Sequence, residues 1–184
     1  MKKLAFVVAL CASPVLADPL DLIDYEGLFA DNRDNVQVVS ETRSILQLEN
    51  ITILYDANEA QQYAGLDESG EGAVGCFVTI LATIESALQA CEVSLPDDQA
   101  AVQATYLDEA LSFYAANTIP AASLMTVQER FDALVASQIE GARPYCANLS
   151  VVTNLADQIF NADSRAEIDG MMSVPRLPVS NPCL

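Results

Sequence analysis

Cys76 and Cys91 bound a continuous apolar stretch, CFVTILATIESALQAC, that has no glycine or proline inside it. Read as one helix, its fifteen steps rise about 22 Å. A disulfide needs Cα atoms within about 7 Å. The two cysteines therefore cannot bond to each other, and any disulfide each forms must tie one end of this helix to a distant segment. At about 100° per residue, Cys76, Ile80, Ile84, Ala87 and Cys91 share one face, with Phe77 and Leu88 beside it. Glu85, Ser86 and Gln89 lie opposite, so both cysteines face the expected core.

The compartment comes from the other end of the chain. Residues 1–17 begin MKK, continue in the short apolar run LAFVVALCA, and end with Val15 and Ala17 at the −3 and −1 positions before Asp18. That is the layout of a secretory signal peptide, and the run falls short of the about 20 residues a membrane span requires. The segment 73–91 is the next most apolar, but Glu85, Gln89 and several Ser and Thr interrupt it. The expectation is a periplasmic or secreted protein without a membrane span after cleavage. Cys11 leaves with the signal because Leu10 precedes it where lipid attachment needs a small residue. Residues 18–184 then form a single exported domain with four cysteines, an even number that fits disulfides in an oxidising compartment.

Helix direction selects the pairing. SLPDDQAAVQATYLDEALSFYAAN predicts a second helix from about Pro96 to Asn117, with Ser94 as its cap and Asp97 and Asp98 in its first turn. TVQERFDALVASQIEGA predicts a third, opened by a capping box of Thr126 with Glu129 and closed near Gly141. A fourth is expected to start at Pro144, with Cys146, Leu149, Val152, Ala156 and Ile159 on one stripe. Short connections make successive helices antiparallel. Cys146 then returns to the Cys91 end, and the tail descends to Cys76. The predicted bonds are Cys91–Cys146 and Cys76–Cys183.

The remaining segments complete the expected fold. DPLDLIDYEGLFADNRDN holds at most one short helix. Residues 36–56 are rich in Val, Ile, Thr and Leu and read as two or three short strands with turns at Glu41-Thr42 and Glu49-Asn50, a helix being the rival. ANEAQQYAG reads as one or two helical turns. The tail, 171–184, is proline-rich and extended, and Cys183 is its reason to stay docked. The predicted class is mainly α, a four-to-five-helix disulfide-stapled bundle over 73–160. A small N-terminal β-hairpin or meander within 18–64 accompanies it, with α+β as the alternative.

Charge and missing residue types narrow the function. Both lysines lie in residues 1–17, so the chain after them carries six arginines against 26 acidic residues, a net charge of −20. Such a field disfavours nucleic acid and anionic membranes and favours basic partners or cations. There is no histidine, which excludes Ser-His-Asp and Cys-His nucleophile systems and the usual zinc sites. Without lysine in the exported part, Schiff-base and Ser-Lys chemistry is excluded too. Carboxylate chemistry survives, but the adjacent pairs Asp97-Asp98 and Asp108-Glu109 diverge on a helix. Tyr106, Phe113, Tyr114, Phe131 and Phe160 fall at helical spacings and read as core, with an apolar ligand groove as the rival.

Gly70, Gly72 and Gly75 match the Gly-x-Gly-x-x-Gly dinucleotide pattern. That motif needs a strand immediately before it and a βαβ unit around it. The last predicted strand ends near Tyr55, and Asp67, Glu68 and Glu71 would face a pyrophosphate with like charge. No cofactor is expected; the segment reads as a mobile loop leading into the helix. Asp67, Ser69 and Glu71 also alternate as in a calcium loop, but Val78 stands where the bidentate Glu belongs. No catalytic, cofactor or metal residue is assigned.

The stretches GCFVTILATIESALQAC, SLPDDQ, TYLDEA and RPYC, over residues 75–146, resemble the Tai family of periplasmic immunity proteins, small helical disulfide-bonded inhibitors of toxins. Phe77-Val78-Thr79 replaces the family's Gly-Tyr-Ile after the first cysteine, and the strand region and the Cys183 tail fall outside the resemblance. What the resemblance implies is a toxin-neutralising envelope protein. From the residues themselves the expectation is a non-catalytic binding domain for an unknown protein or small ligand, a basic one suiting the charge. A carboxylate-dependent hydrolase and an acidic cation-binding protein are the alternatives.

Overall fold

The computed structural model describes residues 18–183; the predicted signal peptide, residues 1–17, lies outside them. The described chain is mainly helical with a small antiparallel sheet. A short helix, α1 (Tyr25–Asp31), is capped by Asp24, whose carboxylate accepts from the Gly27 amide at 2.8 Å. Four strands follow, β1 (Val36–Val38), β2 (Arg43–Gln47), β3 (Ile51–Asp56) and β4 (Tyr63–Asp67), in the order β1-β2-β3-β4. Every neighbour pair is antiparallel, with Leu46 opposite Ile53 at the centre. The turns fall between β1 and β2 and between β2 and β3, where Glu41-Thr42 and Glu49-Asn50 place them. The fourth strand corrects the helical reading of ANEAQQYAG. Residues 57–61 turn the chain back, and Tyr63–Asp67 gains backbone partners along β3 that an isolated helical turn could not supply.

The helices are α2 (Val74–Cys91), α3 (Asp97–Asn117), α4 (Leu124–Ala142), α5 (Ser150–Ile159) and α6 (Arg165–Met171). α2 is central and packs against α3, α4 and α5. It is buried on most of its circumference, including Ser86, which explains its largely apolar composition. Among the described helices it alone is long and apolar enough to cross a membrane.

α3 has the expected bounds, but Pro96 and not Ser94 stands at its cap position and makes no side-chain cap. Two expected boundaries shift. α4 starts two residues before Thr126, because the Ser123 hydroxyl accepts from the Thr126 amide at 3.1 Å. Pro144 opens a 3-10 turn, Arg143–Asn148, and the α-helix begins only at Ser150. That turn carries Cys146 to Cys91 with Cα atoms 5.3 Å apart. The second disulfide joins Cys76 to Cys183, Cα atoms 5.1 Å apart.

Three apolar clusters result, the smallest joining Ala87 of α2, Ala142 of α4 and Val152 of α5. The largest lies among the helices and contains Leu81, Ile84, Tyr106, Leu111, Tyr114 and Phe131. The second lies under the sheet, where Leu46, Ile51 and Ile53 meet Tyr25 and Leu28 of α1 and Leu177 and Val179 of the tail.

Candidate functional site

The polar strip of α2 divides: Ser86, expected opposite the core, is buried, Gln89 is exposed, and Glu85 is half-buried. Glu85 and Gln89 line an open groove of about 450 Å³ between α2, α3 and α4. Glu85 of α2 is half-buried there. Its Oε1 accepts from the Gln89 side-chain amide at 2.8 Å, and its Oε2 accepts from that of Gln103, on α3, at 2.9 Å. On α4, Asp132 lines the same groove and accepts from the Gln128 amide at 2.9 Å. Leu107, Phe131 and Val135 supply the apolar lining. The helical spacing of these residues is what brings them together: Gln128, Phe131, Asp132 and Val135 recur at intervals of three and four on one face of α4. No basic residue lines the groove.

The glycine segment has a structural use. Gly70 and Gly72 adopt left-handed backbone, φ 83° and 95°, which lets the chain turn sharply between β4 and α2. Gly75 lets the tail approach: its amide donates to the Val179 carbonyl at 2.9 Å, and a Cβ there would lie 2.6 Å from the Pro178 and Val179 oxygens. Asp67 is not a free cation ligand. Its carboxylate pairs with Arg176 Nε at 2.5 Å and accepts from the Ser69 amide at 2.9 Å, and both charged side chains are almost wholly buried. Arg176 also donates to the Gly72 carbonyl at 2.7 Å. The expected mobile lead-in is thus a receptor for the tail, held by contacts from residues about a hundred positions away. A hollow of about 200 Å³ beside it is lined by Asp67, Glu71 and Glu167. Among the described residues no group of three or more His, Cys, Asp or Glu is placed to hold a metal ion.

The adjacent acid pairs remain apart from the groove. Asp97 and Asp98 are exposed in the first turn of α3. Asp108 is exposed, while Glu109 pairs with Arg165 at 2.8 Å. Tyr106, Phe113, Tyr114 and Phe160 are buried in the helical core, and Phe131, also buried, lines the groove. Sequence reasoning placed Glu85 and Gln89 on a polar strip but did not single out Gln103 or Asp132, because no local pattern tells which helix faces meet.

At the N-terminal edge Asp18 is 5 % exposed and its carboxylate is enclosed. It accepts from the backbone amides of Leu20, Leu22 and Ile23 and from the Tyr114 hydroxyl at 2.8 Å. Burial raises its pKa above the ordinary aspartate range, outweighing the hydrogen bonds that lower it. Tyr114 also donates to the Pro178 carbonyl at 2.8 Å, and burial pushes its pKa well above that of a free tyrosine. This network ties the start of the described chain to α3 and the tail.

Compared with protein-family models, curated proteins and solved structures, the chain matches none, so the likeness to Tai immunity proteins rests on its quoted stretches and the site on its own geometry.

Proposed function

We propose that this chain is an exported, acidic domain that binds a basic ligand without catalysis in the periplasm or outside the cell, with α2–α5 as a stapled helical bundle that keeps the binding face rigid. The observation that carries this reading is the groove: two carboxylates from different helices stand over an apolar lining with no basic residue among them. The net charge of −20 beyond residue 17 supports it, since such a field draws cations toward the surface. The two disulfides suit an oxidising compartment. The test is retention of envelope components on the immobilised, exported, oxidised protein at low and at physiological salt. A component retained at about 10 mM and released at about 150 mM salt is the expected result, because the screening length falls from about 30 to about 8 Å. Retention indifferent to salt would remove the charge-led reading.

The same two carboxylates favour one second reading, a two-acid hydrolase. Turnover of a glycoside that both Glu85→Gln and Asp132→Asn abolish would replace the binding assignment.

A further inference from the structure

We propose that the groove between α2, α3 and α4 is a site for linear aliphatic polyamines, flexible methylene chains carrying two or more ammonium groups. This deepens the binding reading above and rests on it.

Glu85 lacks a cationic partner among the ion pairs of the described residues. Its carboxylate is half-buried and held in place by two side-chain amides, one on α2 and one on α3. Neither amide neutralises it. None of the five ion pairs among the described residues involves Glu85 or Asp132; Arg43, Arg143, Arg165 and Arg176 are committed to Asp56, Glu140, Glu109 with Asp169, and Asp67. Both groove carboxylates therefore stand on separate helices without a cationic partner in any of those ion pairs. Each Glu85 oxygen has a further lone pair, and an ammonium offers three donors. A charge-assisted bond to such an oriented acceptor costs little additional side-chain ordering.

The lining selects the rest of the ligand. Leu107, Phe131 and Val135 offer hydrocarbon, which suits a methylene chain and supplies no oxygen ligands. Calcium would want six to eight oxygens, in the usual range. The groove volume of about 450 Å³ lies within the small-molecule range of about 300–1,000 Å³. A stable protein interface engages about 20–30 residues a side, whereas eleven line the groove, so the fit is to a small cation rather than to a protein surface. Placing carboxylates on both α2 and α4 favours a ligand with separated charges over a monoamine, because the second ammonium adds its attraction without a second loss of translational freedom.

The test is titration of the exported, oxidised protein with spermidine, a linear triamine, followed by calorimetry at about 10 mM salt. The expected result is one saturable site. Glu85→Gln and Asp132→Asn, both near-isosteric, are each expected to weaken it by about tenfold or more, the scale of one charge-assisted hydrogen bond. Asp132 is exposed, so its variant keeps the fold. Glu49→Gln, in the exposed turn between β2 and β3, removes the same charge far from the groove residues in the fold and is expected to leave affinity within about twofold. Butylamine is expected to bind at least about tenfold more weakly than spermidine. No spermidine binding, or equal weakening by Glu49→Gln and Asp132→Asn, overturns the assignment. If spermidine fails while salt-sensitive retention from the envelope persists, the polyamine assignment falls and the broader binding reading stands; if both fail, both fall.

Discussion

The helical half and the sheet half of this molecule are stabilised in different ways. The helical core joins neighbours in sequence: α2, α3 and α4 follow one another through short connections, and Cys91–Cys146 closes a separation of 55 residues inside that half. The sheet half is incomplete until the end of the chain arrives. Leu177 and Val179 fill the cluster beneath Leu46 and Ile53, and Arg176 reaches Asp67 from 109 residues away. Local helix signals and short connections mark out the elements of the first half. The second depends on a segment with no secondary-structure preference of its own, recruited by buried charge and close backbone approach.

Removing the disulfides tests that contrast at its largest scale. On the chain-entropy account, Cys76→Ser with Cys183→Ser costs about 5 kcal/mol and Cys91→Ser with Cys146→Ser about 4 kcal/mol. The two losses are similar because they act on the unfolded chain. The native consequences differ. The tail has anchors before Cys183, at Arg176, Pro178, Val179 and Asn181. Hydrogen exchange should therefore show the Gly75 amide still protected without Cys76–Cys183; rapid exchange there would mean that the disulfide alone holds the tail.

Arg176→Met comes next, at about 3–5 kcal/mol in urea unfolding, because it leaves the buried Asp67 carboxylate without its partner. Combining it with Asp67→Asn should restore part of the loss. Amide protection should fall first in β3 and β4 rather than in α3, and uniform loss across both halves would break the distinction between them.

Two glycines in helices sharpen the comparison further. Gly141, in α4, has nothing within 4 Å of the position a Cβ would take, and Gly141→Ala should stabilise by about 0.5–1 kcal/mol through helix preference alone. Gly75, in α2, faces the tail carbonyls, and Gly75→Ala should destabilise by about 1–3 kcal/mol despite the same preference. Equal signs in thermal unfolding would show that the tail yields at no cost.

The smallest effect is the titration of Asp18, which joins the two halves through Tyr114. Its folded pKa lies above the unfolded value, so the folded state holds the proton more tightly. Its contribution is fully present below about pH 4, the unfolded value. It is lost as pH rises through the folded pKa. Wild type should therefore lose stability relative to Asp18→Asn across that window, read as denaturation midpoints from about pH 3.5 to 7. Parallel curves would place Asp18 in an environment no less polar than water.

Much of the helical half was legible in the sequence because its signals are local. Cys76 and Cys91 lie too far apart along a helix to meet, and the alternation of short-linked helices brings Cys146 to one end and Cys183 to the other. The strands β1 to β3 and both of their turns were legible for the same reason. β4 was missed because Tyr63–Asp67 contains three residues of weak strand preference, Ala64, Gly65 and Asp67, and is a strand only by virtue of β3. Gly65 itself makes room for Val179.

The sequence by itself determined the charge balance, the absence of histidine, the helix pattern and the ends to which the cysteines must go. Tertiary structure alone decided that the glycine segment receives the tail, that Arg176 is a buried partner of Asp67, and that Glu85 and Asp132 share a groove. The physical reason is range. Periodicity and turn chemistry are written within a few residues, whereas a buried ion pair or a groove wall depends on which distant faces meet, and no window of the sequence contains both sides of that contact.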